Sequence, residues 1–84
     1  MLRQRYSARE IALRDYLRAA RKRKGLSQVE LAKICKLPQS FVSKYEIGER
    51  YLSFTEVLDL CDILDIELQD LLQVLADARE NEAP

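Results

Sequence analysis

One short sequence pattern occurs three times in the chain: an apolar residue, a serine, two variable residues, a glutamate and a second apolar residue. A serine followed three positions later by glutamate marks a helix N-terminus, because each side chain accepts a hydrogen bond from the backbone N–H of the other residue. The copies are Tyr6-Ser7-x-x-Glu10-Ile11, Leu26-Ser27-x-x-Glu30-Leu31 and Leu52-Ser53-x-x-Glu56-Val57. They predict helices that begin near residues 7, 27 and 53.

Proline and glycine suggest the remaining helix boundaries. Pro38 suits the first turn of a further helix, because the N–H group that proline lacks would be unpaired there. Gly25 and Gly48 are expected to close two of the helices, since glycine adopts the left-handed conformation of a helix end at little cost. No stretch alternates cleanly between apolar and polar residues, so we expect an all-α protein.

The segment 26–50 has the spacing of two short helices joined by a tight turn. Each helix carries an apolar stripe at helical spacing, which allows the two to pack on each other. The stripes consist of Leu31, Ala32 and Cys35 on the first helix and Val42 and Tyr45 on the second. A short helix enters the DNA major groove when a second helix braces its back and crosses the phosphates, and this segment provides both.

The second of these helices has a polar side opposite its apolar stripe. At about 100° per residue, Ser40, Ser43 and Lys44 fall on the side away from the stripe, and Gln39 lies in the leading turn. Glutamine can pair with adenine, lysine with guanine, and serine with several base edges. We therefore expect these four side chains to contact bases, with a phosphate as the alternative for Ser43.

Two apolar residues on the same helix have other expected positions. Phe41 either packs on the preceding helix, which we favour, or contacts a thymine methyl group in the groove. Ile47 points outward on the helical wheel, so we expect it to face the sugar-phosphate backbone.

The net charge of zero conceals an uneven distribution. Residues 1–50 contain 13 Lys and Arg against 5 Asp and Glu, a net charge of +8, whereas residues 51–84 contain 1 against 9, a net charge of −8. A solvated charged surface is the ordinary interpretation of such runs. Because the basic half coincides with the two-helix segment, we expect it to face phosphates and the acidic half to point away.

The chain resembles the phage repressor and Cro family of helix-turn-helix proteins, the XRE-like group. The likeness covers roughly residues 13–72 and continues beyond the two-helix segment into Arg50-Tyr51-Leu52-Ser53 and a series of apolar positions. These positions are Val57, Leu60, Cys61, Leu64, Ile66, Leu68, Leu71 and Leu72. The resemblance implies a compact five-helix bundle of the lambda-repressor-like type that binds double-stranded operator DNA.

The resemblance also implies roles for single residues. Gln28 is expected to hold a backbone phosphate, and Arg21 and Glu46 to form a partly buried ion pair that positions the recognition helix. Further phosphate contacts are expected from basic residues of the same half, although cations at the end of the first helix also suit its dipole. The expected phosphate contacts are Gln28, Arg23, Lys24, Lys36 and Arg50.

Two positions depart from the family pattern. Lys36 occupies the turn where the family has glycine. If Lys36 adopts the positive φ of that glycine, the conformation costs about 1 kcal/mol. The alternative is that the turn has a different shape. Leu52 replaces a proline that would stiffen the entry into the next helix, and we expect it to pack against that helix instead.

The residues that catalysis would need are missing from the sequence. It contains no histidine and no glycine-rich phosphate loop, and Lys44, near Ser40 on a solvent-washed face, would keep its proton and could not activate the serine. Cys35 and Cys61 fall on apolar stripes, which predicts buried reduced thiols, and two cysteines without histidine make no zinc site. We expect no enzyme activity, no cofactor, no metal and no small-molecule ligand.

The length and hydropathy of the chain favour one small domain. A chain of 84 residues has a thin stability margin, so a partner subunit would help. No apolar run is long enough to span a membrane, and the basic start lacks the apolar stretch of a signal peptide. We therefore expect a cytoplasmic protein with no membrane partner.

The apolar stripe of the last segment extends past the family resemblance. One explanation is a homodimer that places two recognition helices about 34 Å apart on a palindromic site. Its expected interface is Leu71, Val74, Leu75 and Ala78. The alternative is that these residues close the core and that residues 76–84 fray.

Three segments follow from these expectations. Residues 1–6 form a basic arm, which either reaches along the DNA through Arg3 and Arg5 or is disordered. Residues 7–75 form the helix-turn-helix domain, and residues 76–84 an acidic tail. The predicted function is that of a sequence-specific transcriptional regulator, a repressor, that reads the major groove with residues 38–47. The alternative is a protein-interaction module, an antitoxin-like or adaptor subunit with the same fold.

Overall fold

The computed structural model describes residues 6–82 of the chain, with side chains as far as residue 79. This part of the chain contains five helices and no strand, which confirms the all-α prediction. The helices are α1 (Ala8–Arg23), α2 (Gln28–Cys35), α3 (Gln39–Glu46), α4 (Phe54–Ile63) and α5 (Leu68–Glu82). Of the predicted N-terminal arm, residues 1–5 lie outside the described residues.

The helix starts predicted from the repeated serine pattern are confirmed. Ser7, Ser27 and Ser53 each cap a helix by accepting a hydrogen bond from the N–H group three residues later. At Ser27 and Ser53 the glutamate also accepts a bond from the serine N–H, at 2.9 and 2.8 Å, which completes both capping boxes. Pro38 precedes α3 as its N-cap, one position earlier than predicted.

The first four helices end in one recurrent backbone motif. In each, the N–H of the second or third residue beyond the helix reaches back five positions to a carbonyl, as Leu37 does to Ala32 at 3.0 Å. The motif needs a residue with positive φ, and Gly25 and Gly48 supply it after α1 and α3, as predicted. Lys36 supplies it after α2 with φ of 59°, so the turn keeps its shape despite the missing glycine.

The core draws side chains from all five helices. Seven of its members have almost no exposed surface: Leu17, Leu31, Val42, Tyr45, Leu60, Leu64 and Leu71. The apolar residues on either side of the Ser53 cap, Leu52 and Val57, are also buried. This burial agrees with the expectation that Leu52 packs against the helix that it precedes. Phe41 joins this cluster, which confirms its predicted packing role.

The C-terminal helix is longer than the sequence analysis predicted. α5 runs to Glu82, so most of the segment 76–84, predicted as a tail, is helical. The reason is local: residues 76–82 contain neither glycine nor proline and are rich in residues with high helix propensity. α5 packs along α1, where Arg9 Nε donates to the Leu75 carbonyl at 3.3 Å.

Candidate nucleic-acid interface

The outer side of α3 is an exposed polar surface. Gln39, Ser40 and Lys44 are exposed and Ser43 is half-buried, while Val42 and Tyr45 on the opposite side are buried in the core. Ile47 is 60% exposed at the end of the same surface. The four residues predicted to contact bases therefore lie together, and no other described segment covers them.

A buried ion pair fixes the end of α3 on α1. Arg21 donates from Nε to Glu46 Oε2 at 2.7 Å and from Nη2 to Oε1 at 3.1 Å. The two side chains are only 8% and 2% exposed. The hydrogen bond to Glu46 is the largest of the effects that raise the pKa of Arg21, and a further bond of 2.7 Å joins Arg21 to the Leu26 carbonyl. The pair thus has the structural position that the resemblance implied.

Two glutamines extend this network to the surface. Gln28 Nε2 donates to Glu46 Oε1 at 3.0 Å, and Gln39 Nε2 lies 3.5 Å from Gln28 Oε1. The first residue of α2 and the first residue of α3 are therefore adjacent, at the leading edge of the exposed surface. This position suits Gln28 for a phosphate next to the groove and Gln39 for a base.

Two of the predicted phosphate contacts lie exposed, and one has an acidic partner in the chain. Arg23, at the end of α1, and Lys36, between α2 and α3, are both exposed. Lys24 instead binds Asp65 at 2.7 Å and the Ile63 carbonyl at 3.1 Å, which ties the end of α1 to the turn after α4. Its charge therefore has an acidic partner within the molecule.

Arg50, also predicted as a phosphate contact, is bound on two sides. Its Nη1 and Nη2 donate to the two carboxylate oxygens of Glu56 at 3.0 and 2.8 Å, and its guanidinium carbon lies 4.7 Å from the centre of the Phe41 ring. Glu56 belongs to the capping box of α4, and Phe41 belongs to α3. Arg50 therefore links the two helices on either side of the loop that contains it. We call this three-residue unit the Arg50 link.

The predicted dimer interface is only partly at the surface. Leu71 is fully buried and belongs to the core, so its assignment to an interface was wrong, whereas Val74, Leu75 and Ala78 are half-buried. Two exposed neighbours, Phe54 at 66% and Leu72 at 52%, were not among the predicted interface residues. Both line a groove of about 330 Å³ between α1, α4 and α5. Leu72 could have been found from its place in the apolar stripe, but Phe54 required the fold.

Comparison with protein families identifies the class of this protein. A helix-turn-helix family model matches residues 17–71, which is most of the chain and includes all four base-contact candidates. The chain belongs to this family and, within it, to the XRE-like group that contains phage repressor and Cro; it is a DNA-binding regulator of that type. Neither the comparison with curated proteins nor the comparison with solved structures gives a match. Among the described helices, none combines the length and the apolar character needed to cross a membrane.

Proposed function

We propose that the protein recognises a specific double-stranded DNA sequence by inserting α3 into the major groove. The observation that carries this proposal is the exposed polar side of α3, held against α1 and α2 by the Arg21–Glu46–Gln28 network. A helix fixed in this way presents its hydrogen-bonding groups in one orientation, which direct recognition of base edges requires.

The exposed side chains of α3 have different proposed contacts on the DNA. Gln39 has the donor and the acceptor to form paired bonds with adenine, and Lys44 has donors for the O6 and N7 acceptors of guanine. Ser40 and Ser43 are shorter and suit a single base edge or, for Ser43, a phosphate. Ile47, outside the base-contacting set, has an apolar surface that suits contact with the sugar-phosphate backbone.

Gln28, Arg23 and Lys36 form the proposed phosphate contacts on each side of α3. Lys24 and Arg50 are left out, because both carry an acidic partner within the chain. Neutralisation of four phosphates, by Arg23 and Lys36 in each of two subunits, would give a slope of log K against log salt of roughly −3.6, at about −0.9 per phosphate.

We propose that two copies associate through α5 and the start of α4. The exposed Phe54 and Leu72, with half-buried Leu75 beside them, form an apolar surface on the side that carries the acidic half of the chain. A symmetric pair joined there would present two α3 helices to a two-fold symmetric site. The regulatory mode we propose is repression by occupation of such a site.

Selection of bound duplexes from a random pool, at one stated salt concentration, tests sequence recognition. The proposal predicts enrichment of one motif with two related half-sites about one helical turn, ~34 Å, apart. Enrichment of a single unrepeated half-site would reject the symmetric dimer but keep base recognition. A pool that shows no enrichment would reject sequence-specific binding.

Sedimentation at micromolar concentration tests self-association directly. Leu72→Glu places a charge on the exposed apolar surface and is expected to give a monomer. Gln69→Glu introduces the same charge at another exposed position of α5 and serves as the control, with the association of the wild type retained. A wild-type protein that is monomeric throughout would contradict the proposed dimer.

A protein-interaction module is the second candidate function. The strongly acidic segment 51–84, with its exposed apolar residues, favours a partner protein on the side away from α3. In that case, Gln39→Ala and Lys44→Ala would leave the biological activity unchanged. If DNA recognition is the function, each would weaken binding to the preferred site by about 1–3 kcal/mol.

A further inference from the structure

A second apolar groove, of about 290 Å³, opens between α2 and α4. It shares no lining residue with the base-contact candidates of α3 or with the α5 surface proposed for self-association. Its floor contains the core residues Phe41 and Leu60 and the half-buried Cys35. The groove is therefore a feature that neither DNA recognition nor the proposed dimer explains.

The α2 side of this groove exposes large aliphatic side chains. Ile34 is 50% exposed at the end of α2, and Leu37 is 44% exposed in the turn that follows it. Ile63, near the end of α4, is half-buried on the facing side. Together with the floor, these side chains make an apolar track between the two helices.

The α4 side of the groove is acidic. Asp59 and Asp62 are exposed, lie three positions apart on one side of α4, and form no ion pair with any residue of the range 6–79. Glu56 completes this edge, but its carboxylate is already bound by Arg50. The free negative charge along the groove therefore comes from Asp59 and Asp62.

We propose that this α2–α4 groove binds an amphipathic helix of a partner protein whose polar flank carries lysine or arginine. Apolar side chains of that helix would fill the track, and its cations would lie beside Asp59 and Asp62. The groove volume of about 290 Å³ is just below that of small-molecule pockets, which is ~300–1,000 Å³. A row of side chains from a helix fits an open track of this kind better than a small molecule does. The acidic edge repels phosphates, so DNA is not a competing occupant.

Charge complementarity also decides against a second copy of this chain as the occupant. Of the 14 basic residues of the chain, 13 lie in residues 1–50, in the same half as the proposed DNA surface. A copy that placed those residues against Asp59 and Asp62 would remove them from DNA, whereas a separate basic helix can bind while α3 remains in the groove.

The test uses two synthetic amphipathic peptides and the full-length protein. Both peptides carry leucine at helical positions i, i+3, i+4 and i+7; one has lysine and the other glutamate at all remaining positions. Methyl NMR spectra report which side chains are perturbed. The proposal predicts that, in the absence of DNA, the lysine peptide shifts the methyl signals of Ile34, Leu37 and Ile63 and the glutamate peptide does not.

Charge reversal distinguishes this groove from the acidic surface in general. Asp59→Lys with Asp62→Lys should weaken binding of the lysine peptide by about tenfold or more and allow the glutamate peptide to bind. Asp70→Lys with Asp77→Lys reverses the same number of charges on α5 and should leave both results as in the wild type. Circular dichroism of each variant checks that the fold is retained.

Three results would overturn the proposal. They are equal binding of the two peptides, equal loss of binding in the two charge-reversed variants, and perturbation of α5 instead of the groove. A fourth result, formation of oligomers that the Asp59 and Asp62 reversals abolish, would identify a second copy of the chain as the occupant and would also reject the proposal. The readout does not depend on sequence-specific DNA binding, so this proposal can fail independently of the proposed function.

Discussion

Lys36 shows how one residue can keep a turn that its side chain disfavours. Its φ of 59° is the conformation that glycine adopts after α1 and α3, and the same pair of backbone hydrogen bonds closes α2. A residue with a Cβ atom pays about 1 kcal/mol for this conformation. The cost is tolerated because the motif pairs carbonyls at the end of α2 that would otherwise lack partners.

Lys36→Gly should therefore stabilise the protein, by about 0.5–1 kcal/mol. Lys33→Gly is the matched control: the same substitution three positions earlier, inside α2, should destabilise the protein by about 1 kcal/mol. Urea unfolding of the two variants measures both effects. A Lys36→Gly variant that is less stable than the wild type would mean that the turn is not left-handed.

Glu46 carries the largest predicted loss of stability. Glu46→Ala leaves the buried Arg21 guanidinium without its carboxylate, which costs about 3–5 kcal/mol. Glu49→Ala, on an exposed carboxylate three residues later, should stay within about 0.5 kcal/mol of the wild type. Thermal unfolding compares the variants, and an unchanged melting temperature for Glu46→Ala would contradict the role of the ion pair.

The Arg50 link connects α3 to α4 and gives the protein a pH-dependent component of stability. The hydrogen bonds from Arg50, followed by the bond from the Ser53 N–H, lower the pKa of Glu56 from 4.5 to about 2. A carboxylate with a lowered pKa in the folded state stabilises the protein above its unfolded pKa, and this stabilisation is lost as the pH falls towards 2.

Glu56→Gln should reduce the slope of stability against pH between about 4.5 and 2. Urea unfolding of wild type and variant across this range measures the slope. Glu30, whose pKa is also lowered by its capping bonds, remains in both proteins and contributes equally. If the two proteins lose stability in parallel as the pH falls, Glu56 does not have the lowered pKa that its contacts imply.

The salt dependence of DNA binding separates the two possible roles of Arg50. A phosphate contact contributes about 0.9 to the slope of log K against log salt. Arg50→Gln should weaken binding, because it breaks the link between α3 and α4. It should not reduce the slope, because the Arg50 charge is already paired with Glu56. Arg23→Gln, in contrast, should reduce the slope by about 0.9 per subunit. A reduced slope in Arg50→Gln would restore the phosphate-contact assignment.

At the level of whole elements, the features predicted correctly from the sequence are those that depend on residues close together in the chain. The helix starts at Ser7, Ser27 and Ser53 depend on groups within one turn, so a short pattern is sufficient to find them. The partners of Lys24 and Arg50 were not found, because each ion pair joins elements whose proximity depends on packing. Periodicity placed Leu71 on an apolar stripe but could not tell core from interface.

On the scale of the molecule, charge and apolar surface divide the protein into distinct sides. The basic first half contains α3 and the proposed phosphate contacts, and the acidic second half contains the surface proposed for self-association and the acidic edge of the α2–α4 groove. A net charge of zero is thus compatible with a strong field at the DNA-facing side. Binding is expected to depend on this local field and on α3 together.

The most direct test of DNA reading by α3 is the affinity of the protein for its selected duplex and for every single-base substitution of that duplex. Lys44→Ala is predicted to lose about 1–3 kcal/mol of preference at one base pair of each half-site. Arg23→Ala, in contrast, should weaken all duplexes uniformly and keep the preferences of the wild type. A Lys44→Ala protein with wild-type preferences at every position would contradict the account.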